Sequence, residues 1–203
     1  MTDKLEFDPA THEYRVAGRL LPSVTQILKS AGLIPESGWS SVRAMSRGTL
    51  VHTACHYDDE GDLDEATLTE SLRGYVEAWR KFKREVKLLE IVAIEERVWH
   101  PTYLFAGTLD RRVRINGRLG IIDIKTGQRQ PWHSLQLGGY SLTQKELHRR
   151  YAVRLASDGN YRLDEYNDPN DTTAFLAALS VHNWKSAKLK QQQEENHDLE
   201  EGP

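Results

Sequence analysis

Gly107-Thr108-Leu109-Asp110-Arg111-Arg112-Val113-Arg114-Ile115-Asn116-Gly117-Arg118-Leu119-Gly120-Ile121-Ile122-Asp123-Ile124-Lys125 is the stretch on which the fold turns. Two β-rich runs, Leu104–Ile115 and Arg118–Lys125, flank Asn116-Gly117. Asn-Gly between two such runs marks a two-residue hairpin, because a type I′ turn needs positive φ at both central residues. Ile115 then faces Arg118, Asp110 faces Asp123, and Thr108 faces Lys125. Directly opposed side chains on antiparallel strands lie roughly 4.5–5.5 Å apart at Cβ. Strand side chains alternate, so Lys125 shares a face with Asp123. Spacing alone thus gathers two carboxylates and an ammonium on one side of a sheet.

Asp123 sits within Ile121-Ile122-Asp123-Ile124, a run suited to burial on both faces. Two facing carboxylates in a partly dry setting repel, and one takes up a proton unless a cation intervenes. A hard divalent cation with oxygen ligands resolves that conflict, and Mg2+ commonly combines one or two carboxylates with phosphate oxygens. Lys125 beside such an ion suits stabilisation of a developing negative charge or the placing of a water. The plainer alternative is that Asp123 and Lys125 form salt bridges at the solvent edge of the sheet.

Outward from the hairpin, Ile91–His100 reads as a third strand. Leu5–Leu21 reads as short strands punctuated by Gly18-Arg19, followed by a helix that Ser23 caps ahead of Val24, Ile27 and Leu28. Gly32–Trp39 is a loop. Helices are expected over Ser40–Tyr57 and Asp64–Val86, separated by the acidic loop Asp58–Asp62. Leu68, Leu72, Tyr75, Trp79 and Phe82 recur at helical spacing and mark a core face. A helix from Pro131 to Leu147, strands Tyr151–Ala156 and Tyr161–Tyr166 around Ser157-Asp158-Gly159-Asn160, and a helix over Thr172–Lys188 complete the pattern. Residues 189–203 read as a disordered tail.

Hydrophobic residues make up 38% of the 203 and charged residues 28%, which excludes a disordered chain. No run approaches the roughly 18 apolar residues of a membrane span, and the opening residues lack a signal peptide's basic-then-apolar order. The single cysteine, Cys55, rules out a disulfide framework and a cysteine-ligated iron–sulfur cluster, and points to a reducing cytoplasm. With 27 basic against 30 acidic residues, net charge is -3, so any hold on nucleic acid is local. Arg111, Arg112, Arg114, Arg118 and Arg129 are the candidates to line a DNA path.

Gly107-Thr108-Leu109-Asp110, Asp123-Ile124-Lys125-Thr126-Gly127 and Gln136-x-x-x-Tyr140 together resemble the PD-(D/E)XK nuclease superfamily. The similarity is greatest to its RecB-like exonucleases, including those of phages and the mitochondrial genome maintenance type. Gly48-Thr49-Leu50-Val51-His52 is similar to that branch's upstream helix motif, and Pro22-Ser23-Val24-Thr25-x-Ile27-Leu28 to the start of many phage members. The resemblance spans residues 20–145. It implies an α/β fold: a restriction-endonuclease-like core with a mixed central β-sheet flanked by helices and an N-terminal helical cap. Residues 1–188 would form one nuclease domain, with 1–90 as N-terminal strands and helices and 91–188 as catalytic core.

The same resemblance implies that His52, Asp110, Asp123 and the Ile124 backbone carbonyl hold Mg2+ or Mn2+, with Glu95 at an acidic position often found on the preceding strand. Lys125 would orient or activate the hydrolytic water, and Gln136 and Tyr140 would support the site or contact a phosphate. The implied activity is metal-dependent hydrolysis of phosphodiester bonds from free ends of single- or double-stranded DNA, in phage recombination or DNA repair. The expected location is the cytoplasm of a bacterium or phage-infected cell, with a recombinase or single-strand-binding protein as companion and no membrane. Two other readings compete: a structure-specific or nicking endonuclease, and an inactive DNA-binding scaffold on a nuclease fold. His56, four residues from His52, could form a zinc pair with it, but no further ligands of suitable spacing accompany them and it reads as structural. Trp132 and His133 read as local packing in preference to base stacking.

Overall fold

The computed structural model describes residues 4–35 and 39–200. The chain opens with a three-stranded antiparallel meander, β1 (Leu5–Asp8), β2 (Glu13–Val16) and β3 (Arg19–Leu21). Helix α1 (Val24–Ser30) follows behind a reciprocal cap: Ser23 Oγ accepts the Gln26 N–H and Gln26 Oε1 accepts the Ser23 N–H. Of the expected loop Gly32–Trp39, residues 36–38 lie outside the described residues, and Trp39 already begins α2 (Trp39–Glu60). A single 3-10 turn (Glu65–Thr67) leads into α3 (Glu70–Glu85), which Thr69 caps.

The main sheet then forms in the order β4 (Leu89–His100), β5 (Phe105–Ile115), β6 (Arg118–Lys125), β7 (Arg149–Leu155) and β8 (Tyr161–Glu165). All neighbours are antiparallel except β6 and β7, which run parallel because α4 (Trp132–Leu142) makes the crossover between them. Helix α5 (Asn170–Glu200) closes the chain. The mixed sheet flanked by helices matches the expected α/β architecture, with the meander and α1 added before the first helix pair.

Two apolar layers sandwich the sheet. On one side Val51 and Cys55 of α2 and Tyr75, Trp79 and Phe82 of α3 pack on Val113, Ile122, Ile124 and Val153. On the other, α1, α4 and α5 pack on Phe105, Leu109, Ile121 and Ala152. The first layer is drawn close by Gly74, where a Cβ would stand 1.8 Å from the Ser157 carbonyl oxygen in the β7–β8 turn. A third, smaller cluster joins the meander to Ala106.

Several boundaries depart from expectation. Helix α2 does not stop at Tyr57; Asp58, Asp59 and Glu60 form its last turn, because the two aspartates find cationic partners on α3 and the sheet. Helix α4 ends at Leu142, five residues early, where the Ser141 and Thr143 hydroxyls turn back onto the Gly138 and Tyr140 carbonyls. Helix α5 runs through residues 189–200, which were expected to be disordered. There Lys188 bonds Gln191 and Gln191 bonds Glu195, the i,i+3 and i,i+4 pairs that support a polar helix.

Candidate functional site

The hairpin forms as its spacing predicts, with Asn116 at φ 50° and Gly117 at φ 76°, and pairs from Ile115↔Arg118 to Arg111↔Ile122. The next pair in that register, Asp110↔Asp123, does not form. The Asp110 carboxylate instead accepts the Ile124 backbone N–H at 2.6 Å, and the two strands part. Two opposed carboxylates in this buried setting would repel. Strand β5 also changes sides here. Phe105 and Leu109 face the α1/α4/α5 layer, whereas Arg111 stacks over Trp79 and Val113 packs in the α2/α3 layer. Thr108 therefore bonds the Tyr14 hydroxyl at 2.8 Å and does not oppose Lys125.

Strand β4 is irregular at the same level. Ile94 pairs with Arg111 and Glu96 with Leu109, and between them Glu95 takes φ 48°. This left-handed conformation is uncommon for a non-glycine residue within a strand. It delivers Glu95 to the neighbourhood of Asp110, while α2, packed on the face of the sheet, brings His52 to the Ile124 carbonyl. His52, Glu95 and Asp110 each present one ligand atom, and these atoms lie within 4.8 Å of one another.

The electrostatics of this group suit a cation. Burial opposes charge on His52, yet the Asp110 carboxylate beside it, helped by Asp123, raises its pKa to about 9. Burial and the nearby Asp110 push Glu95 up. Burial acts on Asp110 in the same direction, but His52 together with Lys125 and the Ile124 N–H holds it below the usual carboxylate range. His52 Nε2 lies 2.8 Å from the Ile124 carbonyl, while Nδ1 faces Asp110 Oδ1 at 3.5 Å. Tying one ring nitrogen to a backbone carbonyl fixes the ring and leaves the other free to ligate. One imidazole nitrogen and two carboxylate oxygens make a donor set suited to a divalent cation.

The other expected residues gather immediately behind. Lys125 Nζ lies 2.6 Å from Asp123 Oδ2, an ion pair off the axis of a hydrogen bond, and donates to Gln136 Oε1 at 2.9 Å. Burial pushes Asp123 up to about 6, against the pull of Lys125. Asp123 is not among the three mutually close donors; its carboxylate is turned to Lys125. Tyr140 of α4 is buried among apolar neighbours, and burial with the nearby aspartates raises its hydroxyl well above its ordinary value. It keeps its proton at neutral pH. Gly107 makes room for its ring, since a Cβ there would lie 2.6 Å from Tyr140 Cε1.

A cleft of about 470 Å³ opens beside His52 and Glu95, walled by Gly48, Thr49, Thr53, His56 and Tyr57 of α2. His56 pairs with Glu60 at 3.2 Å and stays outside the group of three. His133 is buried and faces the Gln130 N–H, in keeping with local packing. The arginines expected to line a DNA path are largely committed elsewhere. Arg111 is fully buried against Asp59, Arg112 is bidentate to Glu96, Arg114 pairs with Glu90, and Arg129 lies over the Tyr166 ring. The change of side in β5 sends Arg111 into the α2/α3 layer, where only an acidic partner makes burial tolerable. Asp59 is that partner, 52 residues away in sequence, and no local pattern pairs them. Among the described residues no helix is long and apolar enough to cross a membrane.

No curated protein matches this sequence. Among solved structures, the chain is similar to a candidate exonuclease from Eubacterium rectale, with 13% identity over 87% of this chain and 78% of that one at a TM-score of 0.53. It also matches an alkaline exonuclease from Laribacter hongkongensis, with 14% identity over 83% of this chain and 93% of that one at a TM-score of 0.39. The first of these likenesses supports the fold. The sequence profile of the PD-(D/E)XK nuclease superfamily matches residues 27–201, a span that takes in α2, the whole five-stranded sheet and every candidate site residue. The chain belongs to the PD-(D/E)XK nuclease superfamily.

Proposed function

We propose that this chain is a Mg2+- or Mn2+-dependent deoxyribonuclease of the RecB-like branch that hydrolyses phosphodiester bonds from DNA ends. The observation that carries this reading is the meeting of His52, Glu95 and Asp110 within 4.8 Å beside an open cleft, in a chain of nuclease family. His52, Glu95 and Asp110 would hold the ion, Asp123 joining them through the oxygen that Lys125 does not engage, with the Ile124 carbonyl either as a further ligand or as the anchor of the His52 ring. A bound divalent ion lowers the pKa of water and polarises a phosphate oxygen.

The chain's own residues supply the rest. Lys125 presents a cation to the reacting phosphate, and Asp123 and Gln136 fix its ammonium in place. Lys125 also donates hydrogen bonds that can align a water for attack. Tyr140, protonated and buried, forms a rigid wall behind Gln136 and needs no part in proton transfer. The presence of all these side chains speaks against an inactive scaffold.

The test is an assay of end-labelled single- and double-stranded DNA with Mn2+, run beside closed circular DNA and an Asp123→Ala variant. Shortening of linear DNA, an intact closed circle and an inactive, folded Asp123→Ala protein are expected. Cleavage of the circle would establish an endonuclease instead. Undiminished activity in Asp123→Ala would overturn the site.

A further inference from the structure

Arg111 has no exposed surface, and its guanidinium makes contacts on three sides. Nε donates to Asp59 Oδ2 at 2.6 Å, Nη1 donates to the Asp110 carbonyl at 2.5 Å, and the same Nη1 lies 3.4 Å from Glu95 Oε1. The guanidinium also lies 5.6 Å from the centre of the Trp79 ring. Asp59 is equally committed, accepting from Trp79 Nε1 at 2.8 Å and Lys83 Nζ at 2.6 Å. A rigid, charged bracket thus runs from the α2/α3 layer to the two strand irregularities that deliver Glu95 and Asp110.

Two features set this bracket apart from an ordinary stabilising ion pair. Buried ion pairs are often replaceable by apolar packing without loss of stability, and among the described residues no group accepts a hydrogen bond from Arg111 Nη2. Both count against stability as its main product. Its contacts fall instead on the side chain of one candidate ligand and the backbone of another, at the site of the φ 48° residue and of the change of face in β5. The planar fork of arginine lets Nε hold Asp59 while Nη1 reaches Glu95 and the Asp110 carbonyl, a span that the single ammonium of lysine does not bridge.

We propose that Arg111, anchored by Asp59, is a positioning residue that sets the divalent-cation affinity of the site by holding Glu95 and Asp110 in their ligating arrangement. This rests on the assignment of His52, Glu95 and Asp110 as the cation site. Groups behind metal ligands typically change affinity about 10–100-fold when removed.

Mn2+ dissociation constants, measured by calorimetry on the full chain without DNA, test the idea through a double-mutant cycle. Arg111→Lys should weaken Mn2+ binding about tenfold in the native background. It should weaken it by less in the Glu95→Gln background, where only the hold on Asp110 is left to lose, because residues acting as a unit are not additive. Equal losses in both backgrounds, or none in the first, would overturn the proposal. Asp59→Asn keeps the shape of the anchor and should repeat the pattern; it decides the matter if Arg111→Lys does not melt cooperatively. Glu95→Gln and Asp110→Asn alone probe the underlying site. If neither weakens Mn2+ binding, the site and its bracket fall together; if both do and Arg111→Lys and Asp59→Asn do not, only the bracket falls.

Discussion

Asp110 reaches across to the next strand and accepts the Ile124 backbone N–H at 2.6 Å, so one carboxylate both ends the β5–β6 ladder and faces His52. These duties can be separated. Asp110→Asn keeps an oxygen for the Ile124 N–H and should retain the fold while losing Mn2+ binding. Asp110→Ala forfeits a charge-assisted bond of about 1.5–3 kcal/mol, which lowers Tm of the metal-free protein by about 3–12 °C. Thermal melts and Mn2+ titrations of both variants check this. An Asp110→Ala protein with native Tm would contradict the structural half.

Gln136 accepts a hydrogen bond from Lys125 at 2.9 Å, and in the proposed function it acts through that ammonium. Gln136→Leu should lower kcat about 10–100-fold with KM for DNA nearly unchanged, the signature of a misplaced catalytic group. Gln136→Glu, which keeps an oxygen facing Lys125, should restore most of the rate. A raised KM with native kcat would instead make Gln136 a substrate contact.

Gly107 is a matter of space. A methyl group there would press on the buried Tyr140 ring at 2.6 Å. Overpacking of this kind costs about 1–3 kcal/mol, so Gly107→Ala should lower Tm by about 2–12 °C. In Tyr140→Leu, which clears the ring edge, the same substitution should cost much less, and comparison of the four melting curves decides.

His133 links the fold to pH. Burial, reinforced by the Lys125 charge, holds its pKa down to about 4, below the ordinary value near 6.5 in an unfolded chain. Between those values the unfolded chain binds a proton that the folded one refuses, so stability contributed by His133 is full above about pH 6.5 and falls away toward pH 4. Asp123, pushed up to about 6, acts in the opposite sense over part of that range. The useful quantity is therefore the difference between native protein and His133→Asn, whose Tm should decline less steeply on acidification. Parallel declines would remove His133 from the account.

The hairpin was legible because Asn-Gly constrains two dihedral pairs and so sets its register locally. Periodicity likewise revealed the apolar face of α3, and Ser23 the start of α1. The residues of the site were legible as motifs, but their mutual placement was not. Register extrapolated past Ile122 placed Asp110 against Asp123 and Thr108 against Lys125, whereas repulsion and the Ile124 N–H break the ladder one pair earlier. The Asp59–Arg111 contact is set by how α2 lies on the sheet, and no spacing rule reaches over such a separation. The polar end of α5 has no signature in the sequence, because side-chain pairs such as Gln191–Glu195 carry no hydrophobic period.

The change of face in β5 determines what a partly open molecule can do. His52 arrives with the α2 layer and Gln136 with the α4 layer, and the strand between them belongs to both. Local opening of one layer, an event proteins sample well short of global unfolding, would leave most of the sheet paired yet carry off half of the proposed machinery. A chain still folding, or one frayed by heat, would then be silent toward DNA until both layers had docked. Hydrolytic power would switch on with the last step of assembly and off with the first step of decay.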